Sequence, residues 1–177
     1  MKYVICGTDR KDSNSFKVSN HIKNIYKNNG EEVGIINLAD VPMSELKGEL
    51  DGGKNTPAGV QAFVDKIDSA EGLHIVVPEY NGSFPGVLKH FIDFWTYPKS
   101  FEYRPVCFVG LGGMFGGLRP VEQLQQVFGY RNAFMYPDRI FMANVWGILK
   151  DDVIADDTVN QLLEKQITGF QKFVTAL

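Results

Sequence analysis

The chain has 177 residues, of which 44% are hydrophobic and 22% are charged, and its formal net charge is −3 at pH 7. This composition excludes disordered and fibrous proteins, and the length fits one domain spanning residues 1–177. The mild negative charge and the lack of a run of Lys or Arg argue against nucleic acid as a partner. The chain shows neither a membrane-length apolar stretch nor a signal-peptide core, so we expect a cytoplasmic protein with no membrane partner.

Short apolar runs alternate with longer helical patterns along the chain. The predicted strands are 3–6, 33–37, 73–77, 106–110 and 139–143. The predicted helices are 15–28, 58–70, 86–97, 118–128 and 157–176. Continuous apolar strands that alternate with helices predict an α/β fold, with a parallel sheet covered by helices on both faces. Five such strands favour the doubly wound, flavodoxin-like order 2-1-3-4-5.

Three unusual loops follow strands that this order places side by side. Their sequences are GTDRKDSNS at 7–15, PEYNGSFPG at 78–86 and GLGGMFGGLRP at 110–120. Ligands of doubly wound proteins lie beyond the carboxyl ends of the strands, next to the switch point between the first and third strands. We therefore expect the three loops to form one composite ligand site. The connection at 46–59 is instead predicted to be a mobile link between the second strand and the second helix.

The first loop has the groups of a phosphate site. Arg10 and Lys11 offer positive charge, and the helix that follows offers its unpaired N–H groups and positive dipole end. The loop hydroxyls belong to Thr8, Ser13 and Ser15. A Walker A loop is excluded, because Asp12 stands where that motif needs Gly and Ser13 where it needs Lys. An alternative role for Ser13, as the cap of the helix, remains open.

The second loop offers features suited to a flat heterocycle. Pro78 ends the strand and Gly82 permits a tight turn, so the amides of residues 80–83 are expected to face the carbonyl edge of an aromatic ring, beside Tyr80 or Asn81. Glu79 is interpreted as a structural residue rather than an acid or base.

The third loop has enough glycine for its backbone to approach a ligand closely. Its glycines include Gly112, Gly113, Gly116 and Gly117. The dinucleotide fingerprint GxGxxG fails, since Phe115 stands where the third Gly belongs. A glycine loop without a ligand stays open as an alternative.

Cysteine and histidine residues point to structural roles. Cys6 and Cys107 lie in apolar runs and are predicted to be buried core residues. The three histidines, His21, His74 and His90, are scattered along the chain, and no spacing typical of a metal site occurs.

The loops resemble those of the NADPH-dependent FMN reductase family of flavodoxin-like proteins. PEYNGSFPGVLKHFIDFW is similar to the family signature PEYNGSxPGxLKNAIDW, the first loop to GSxRxxSxN, and GGMFGGLRPVEQL to GGxxGGxRAxxQL. The likeness covers nearly the whole chain. It implies an enzyme that takes hydride from NADH or NADPH through FMN to quinone-like or other small acceptors. Because both reactants would use the same open face of the flavin in turn, we expect ping-pong kinetics. Family members include quinone, azo-dye and chromate reductases.

The resemblance also implies positions for the cofactor. Phosphate contacts fall on Thr8, Arg10, Ser13, Asn14 and Ser15. Ring contacts fall on Pro78, Glu79, Tyr80, Asn81, Gly82 and Ser83. The third loop, with Gly112, Gly113 and Gly116, would border the flavin and the nicotinamide. No catalytic side chain is implied, because the flavin performs the hydride transfer. The chain departs from the family pattern by Thr8 in place of Ser, by Asp9, and by the pair Asn14-Ser15 in place of a hydrophobic residue and Asn.

Two other functions are possible interpretations of the same residues. A flavodoxin-type electron carrier would bind FMN without a nicotinamide site, and a relative that had lost flavin would serve as an interaction protein.

Four apolar residues of the third helix share one face, namely Leu88, Phe91, Ile92 and Trp95. Four more aromatic residues then need a second apolar surface, namely Phe84, Phe94, Tyr97 and Phe101. Packing of these residues within the core alone stays open as an alternative. A homodimer or homotetramer is expected, as is usual in the family.

Overall fold

The computed structural model describes residues 1–47, 54–150 and 152–177. The strands are β1 (Lys2–Cys6), β2 (Val33–Asn37), β3 (Leu73–Pro78), β4 (Pro105–Leu111), β5 (Phe134–Met142), β6 (Leu149–Lys150) and β7 (Val153–Ile154). The helices are α1 (Asn14–Asn28), α2 (Ala58–Ser69), α3 (Gly86–Asp93), α4 (Leu118–Tyr130), α5 (Val145–Ile148) and α6 (Asp157–Thr175). The predicted mobile link at 46–59 lies largely outside the described residues.

The main sheet has five parallel strands in the order β2-β1-β3-β4-β5. This confirms the predicted doubly wound, flavodoxin-like fold. The switch point lies between β1 and β3, where Cys6 pairs with Val76. The loops after β1, β3 and β4 therefore leave the same edge of the sheet side by side.

Two hydrophobic cores cover the two faces of the sheet, because successive strand residues point to opposite faces. In β3, Ile75 and Val77 belong to the first core, beneath α2, α3 and α4, whereas Val76 belongs to the second core, beneath α1 and α6. Each of the three side chains is fully buried. Such burial on both faces explains why the strands read as continuous apolar runs.

The fifth strand begins at Phe134, five residues before its predicted start. It is an edge strand whose first half is exposed or only partly buried, so it lacks the apolar run of the other strands. Its pairing with β4 is irregular between Val106 and Phe108, opposite the segment that contains Pro137. A proline has no N–H to donate, which confines it to sheet edges and bulges.

The third helix ends at Asp93 rather than at Tyr97. The amides of Phe94 and Trp95 donate to carbonyls three residues back, which tightens the last turn. The chain then turns so that Phe94 and Phe101 enter the first core, where they are 7% and 4% exposed. The prediction that these two rings need a second apolar surface was therefore wrong.

Both cysteines are buried and free, as predicted. Cys107 lies in the second core beside His74, whose Nε2 is 3.9 Å from the Cys107 Sγ. The hydroxyl of Tyr26 is 3.2 Å from His74 Nδ1. Burial lowers the pKa of His74 from 6.5 to about 3, so this ring is a neutral core residue.

Candidate functional site

A cleft of about 470 Å³ opens at the carboxyl edge of the sheet. Its walls come from the loops after β1, β3 and β4, as predicted, and from α5. The lining residues are Arg10, Lys11, Asp12, Ser13, Asn14, Ser15, Pro78, Glu79, Tyr80, Leu111, Gly112, Gly113, Val145 and Trp146. Nine of the fourteen predicted cofactor contacts are in this set. The other five, namely Thr8, Asn81, Gly82, Ser83 and Gly116, are not among its lining residues.

The amino end of α1 forms the first part of the cleft. Ser13 caps the helix, and its Oγ accepts a hydrogen bond of 3.1 Å from the Phe16 amide. The cap leaves the amides of Asn14 and Ser15, in the first turn, without intrahelical partners. Both residues line the cleft, next to the exposed Arg10 and Lys11. Free amides, two cations and a helix amino end form a donor set for a phosphate.

Two acidic residues accompany these cations. Asp12, which has a left-handed backbone conformation (φ 51°), lines the cleft, whereas Asp9 does not. The acidic residue closest to a bound phosphate would therefore be Asp12, not the Asp9 singled out from the sequence. Across residues 8–12 the two positive and two negative side chains cancel formally.

Thr8 is fully buried and does not line the cleft. Its Oγ1 lies 2.8 Å from the Tyr80 hydroxyl and accepts a hydrogen bond of 3.3 Å from the Arg10 amide. The hydroxyl predicted to contact phosphate therefore joins the loop after β1 to the loop after β3.

The loop after β3 begins with a two-residue hairpin. The amide of Tyr80 donates to the Ser83 carbonyl at 2.8 Å, and the amide of Ser83 donates to the Tyr80 carbonyl at 3.1 Å. Asn81 and Gly82, between them, both have positive φ, at 52° and 77°, as tight Asn-Gly turns require. The expectation that all four amides face a ligand was wrong, because those of Tyr80 and Ser83 bond to each other's carbonyls.

The Ser83 side chain is also occupied within the protein. Its Oγ donates to Gln123 Oε1 of α4 at 2.5 Å, and Gln123 Nε2 donates to the Gly82 carbonyl at 3.4 Å. These bonds fix the hairpin against α4. Ser83 therefore shapes the loop from behind.

Glu79 lies where the loops after β3 and β4 meet. Its amide donates to the Leu111 carbonyl at 2.9 Å, and its Oε1 is 3.4 Å from Arg119 Nη1. The Arg119 guanidinium lies over the Phe115 ring, 4.3 Å from its centre. The carboxylate is thus engaged in an ion pair at the cleft wall, which agrees with a structural role.

The glycine loop after β4 has two parts. Gly112 and Gly113 line the cleft, and a Cβ added at Gly112 would lie 3.2 Å from the Glu79 Cβ. Gly116 is instead buried and has a φ of 57°; a Cβ there would lie 2.7 Å from the Ala143 amide nitrogen. Gly116 thus permits backbone packing beneath the loop, and it does not face the cleft.

The residues that sequence reasoning missed are on α5. Val145 and Trp146 line the cleft, and the Trp146 indole is 68% exposed. The amides of Asn144 and Val145 donate to the carbonyls of Gly113 and Gly112, at 2.8 and 3.2 Å. The only available signal was position, because NVWG follows the last sheet strand at the same edge as the three loops.

Two searches confined to residues 1–47, 54–150 and 152–177 gave negative results. Within these ranges, no helix is long and apolar enough to cross a membrane. Nor do they contain a cluster of three or more His, Cys, Asp or Glu side chains suited to a metal ion.

The donor set fits a ligand with a phosphate at one end and a flat ring at the other, as in FMN. The phosphate end is the amino end of α1 with Arg10 and Lys11, and the ring end is bounded by Tyr80, Gly112 and Gly113. Glycine at the last two positions keeps side chains out of the space where a planar ring would lie. The cleft is continuous between the two ends.

Comparisons with known proteins agree with this geometry. Residues 3–147 match the family model for NADPH-dependent FMN reductase. Quinone reductase of Escherichia coli (strain K12) is 29% identical, over 97% of this chain and 93% of its own. NAD(P)H:quinone oxidoreductase of Solanum tuberosum is 27% identical, over 98% of this chain and 92% of its own. The structure of a flavoenzyme NAD(P)H:(acceptor) oxidoreductase from Paracoccus denitrificans shares the fold, with a TM-score of 0.77 at 19% identity over 99% of this chain and 97% of that one. Because the family model spans well over half of the sequence, the chain belongs to the NADPH-dependent FMN reductase family.

Proposed function

We propose that this chain is an FMN-dependent oxidoreductase that uses NADH or NADPH to reduce quinone-like or other small acceptors. The observation that carries this proposal is the cleft in which a phosphate donor set and a glycine-bordered ring site are joined. Family membership and relatives named as quinone reductases over almost their whole length support it. The same comparisons favour the enzyme over the flavodoxin-type carrier.

The cleft residues divide into those that would touch FMN and those that shape the loops. Arg10 and the amides of Asn14 and Ser15 would hold the phosphate, while Pro78, Glu79, Tyr80, Gly112 and Gly113 would border the ring. Of the remaining predicted contacts, the Ser13 side chain caps α1, Thr8 joins the loops after β1 and β3, Ser83 holds the hairpin against α4, and Gly116 packs beneath the glycine loop. Asn81 and Gly82 form the hairpin turn, and their amides are free of protein partners among the described residues. When bound, FMN supplies the two-electron chemistry.

The side chains of the cleft need to bind and orient the reactants rather than transfer protons. Glu79 is the carboxylate nearest the ring end, and its Oε1 is paired with Arg119. We therefore expect the Glu79→Gln variant to retain most of its activity. The NADH or NADPH and the acceptor would reach the open side of the cleft in turn, which implies ping-pong kinetics.

Titration with FMN followed by anaerobic reduction tests this proposal. The protein should quench FMN fluorescence on binding and turn yellow, NADH or NADPH should bleach the bound flavin, and a quinone should restore its colour. Parallel lines in double-reciprocal plots would support one shared site. If neither nucleotide reduces the bound flavin faster than it reduces free FMN, the proposal of an oxidoreductase must be replaced by that of a flavodoxin-type electron carrier. A protein that binds no FMN overturns both.

We also infer self-association into a homodimer or homotetramer through the surface at α3 and α4. Tyr97 and Tyr130 are 50% and 80% exposed there, and the Arg131 guanidinium lies 4.6 and 5.2 Å from their ring centres. These rings border a cavity of about 540 Å³ that also includes Trp95 and Val127. Light scattering at micromolar concentration should show a dimer or tetramer, and the Tyr130→Ser substitution should weaken this self-association. A monomer would refute the inference.

Three broader expectations complete the proposal. We propose that residues 1–177 form one FMN-binding domain, that the protein works in the cytoplasm, and that it uses neither nucleic acid nor a membrane as a partner. Limited proteolysis with and without FMN tests the first, because a single domain should be protected as a whole.

A further inference from the structure

Trp146 is an exposed aromatic side chain in the wall of the cleft. Its indole is 68% exposed, whereas Val145, the residue before it, is 3% exposed and belongs to the second core. A Cβ added at Gly113 would lie 3.8 Å from the Trp146 Cζ3, so the indole borders the glycine loop. The ring is therefore held at the rim of the site, next to the segment proposed to border the flavin.

The backbone under Trp146 is firmly connected to the glycine loop. The Asn144 and Val145 amides donate to the carbonyls of Gly113 and Gly112. The Gly147 amide donates to the Asn144 carbonyl at 2.8 Å, which closes the turn on the other side of the tryptophan. The position of the residue is thus fixed, although its ring has a free surface.

We propose that Trp146 is a specificity-determining residue for the second substrate, and that its indole stacks on the planar ring of the nicotinamide or quinone that enters after FMN. This inference rests on the proposed FMN site. An aromatic face that is preformed, uncharged and half open suits a flat, electron-poor ring, because such rings gain dispersion and quadrupole energy by offset stacking.

The position of Trp146 separates this role from cofactor binding. The groups proposed for FMN lie on the loops after β1 and β3 and on Gly112 and Gly113, whereas Trp146 lies on α5, beside Gly113 at the cleft wall. A cofactor that stays bound benefits from enclosed contacts. A substrate that must leave in every catalytic cycle needs an open rim, and an indole with 68% of its surface exposed provides one.

Three variants test the proposal by kinetics. Trp146→Ala should raise KM for NAD(P)H, for the quinone or for both about tenfold, while FMN affinity changes less than twofold. Trp146→Phe keeps a ring and should recover most of the loss. Tyr103→Ala removes an aromatic side chain of similar exposure (64%) that does not line the cleft, and it should leave both KM values unchanged. Separate titration of each substrate shows which ring is stacked.

Tryptophan fluorescence gives a readout that does not depend on turnover. The chain has two tryptophans, and Trp95 is only 1% exposed, so acrylamide quenching of the wild type reports mainly on Trp146. Oxidised NADP⁺ or NAD⁺, added to FMN-loaded protein, should reduce this quenching at least twofold. The Trp146→Phe variant should lose the accessible emission.

Two results would overturn the inference while the proposed function stands. One is a Trp146→Ala variant that binds FMN, is reduced and reacts with the quinone with wild-type constants. The other is a variant whose FMN affinity falls tenfold while both KM values stay unchanged, which would place the indole against the cofactor. A wild-type protein that fails to bind FMN would instead refute the proposed function itself.

Discussion

The hydrogen bond between Thr8 and Tyr80 is the only direct side-chain hydrogen bond that the described residues show between the loops after β1 and β3. The Tyr80→Phe substitution removes one partner and leaves the shape of the ring unchanged. Tyr80 is 37% exposed, so water partly replaces its lost bond, but Thr8 is fully buried and its hydroxyl keeps only the Arg10 amide as a protein partner. We expect the free energy of unfolding to fall by about 1–2 kcal/mol, because a buried hydroxyl is left incompletely paired.

A double-mutant cycle with Thr8→Val isolates this bond from other effects of each change. Urea unfolding of the wild type, both single variants and the double variant should give a coupling energy of about 0.5–1.5 kcal/mol. Tyr97→Phe is the matched control, since no hydroxyl partner for this half-exposed tyrosine is found among residues that the structure describes. Additive effects of the two substitutions would show that the bond does not form in solution.

The same cycle, repeated with saturating FMN, decides what Thr8 does. If its hydroxyl only joins the loops, the coupling energy persists in the FMN-bound protein. If it contacts phosphate as the family resemblance implies, the phosphate displaces Tyr80 and the coupling falls to near zero. The geometry of the structure favours persistence, because Thr8 is buried behind the cleft.

Three further predictions address the phosphate site, the glycine loop and the core. Arg10→Ala should weaken FMN binding by about 1.5–3 kcal/mol and riboflavin binding much less, since a charge-assisted hydrogen bond to the phosphate is lost. Equal losses of affinity in parallel titrations would place the phosphate elsewhere. Gly116→Ala should lower the free energy of unfolding in urea by more than about 2 kcal/mol, because the added Cβ would meet backbone atoms at 2.7 Å. Gly30 also has a positive φ but has open space around it, so Gly30→Ala should cost only about 1 kcal/mol, and equal costs would contradict the close approach at Gly116. Burial lowers the pKa of His74 from 6.5 to about 3, so the stability that its neutral ring contributes above pH 6.5 is lost as the pH falls toward 3, by about 1.4 kcal/mol per pH unit. The unfolding free energy of the His74→Gln variant should therefore depend less steeply on pH between about 6 and 4 than that of the wild type. Parallel curves for the two proteins would refute the buried neutral ring.

The sheet order was predictable because its central strands are buried on both faces and therefore read as unbroken apolar runs. The early start of β5 was not, since this edge strand is half exposed and contains Pro137 within an irregular pairing. The early end of α3 was missed for a related reason. Phe94 and Trp95 continue the helical pattern of apolar residues, but both are buried beyond the end of the helix.

The place of the site was predictable, whereas the use of each side chain was not. Carboxyl ends of adjacent parallel strands share one edge, so convergence of the three loops follows from topology alone. The bond between Thr8 and Tyr80 depends on how a hairpin tip is oriented across the sheet edge, which no local pattern encodes. Trp146 belongs to no motif, and only the return of the chain after β5 brings it to the cleft.

The charges around α1 indicate what kind of attraction holds the phosphate. Arg10 and Lys11 are exposed, and so are Asp9 and Asp12 beside them, which gives the loop no formal net charge. Long-range attraction of an anion is consequently weak, and exposed charges are further screened by salt. The free amides of Asn14 and Ser15 act only at contact distance and point along the dipole of a 15-residue helix. Selectivity for a phosphate at this site must therefore come mainly from short, oriented hydrogen bonds, with Arg10 adding a charged partner once the ligand is in place.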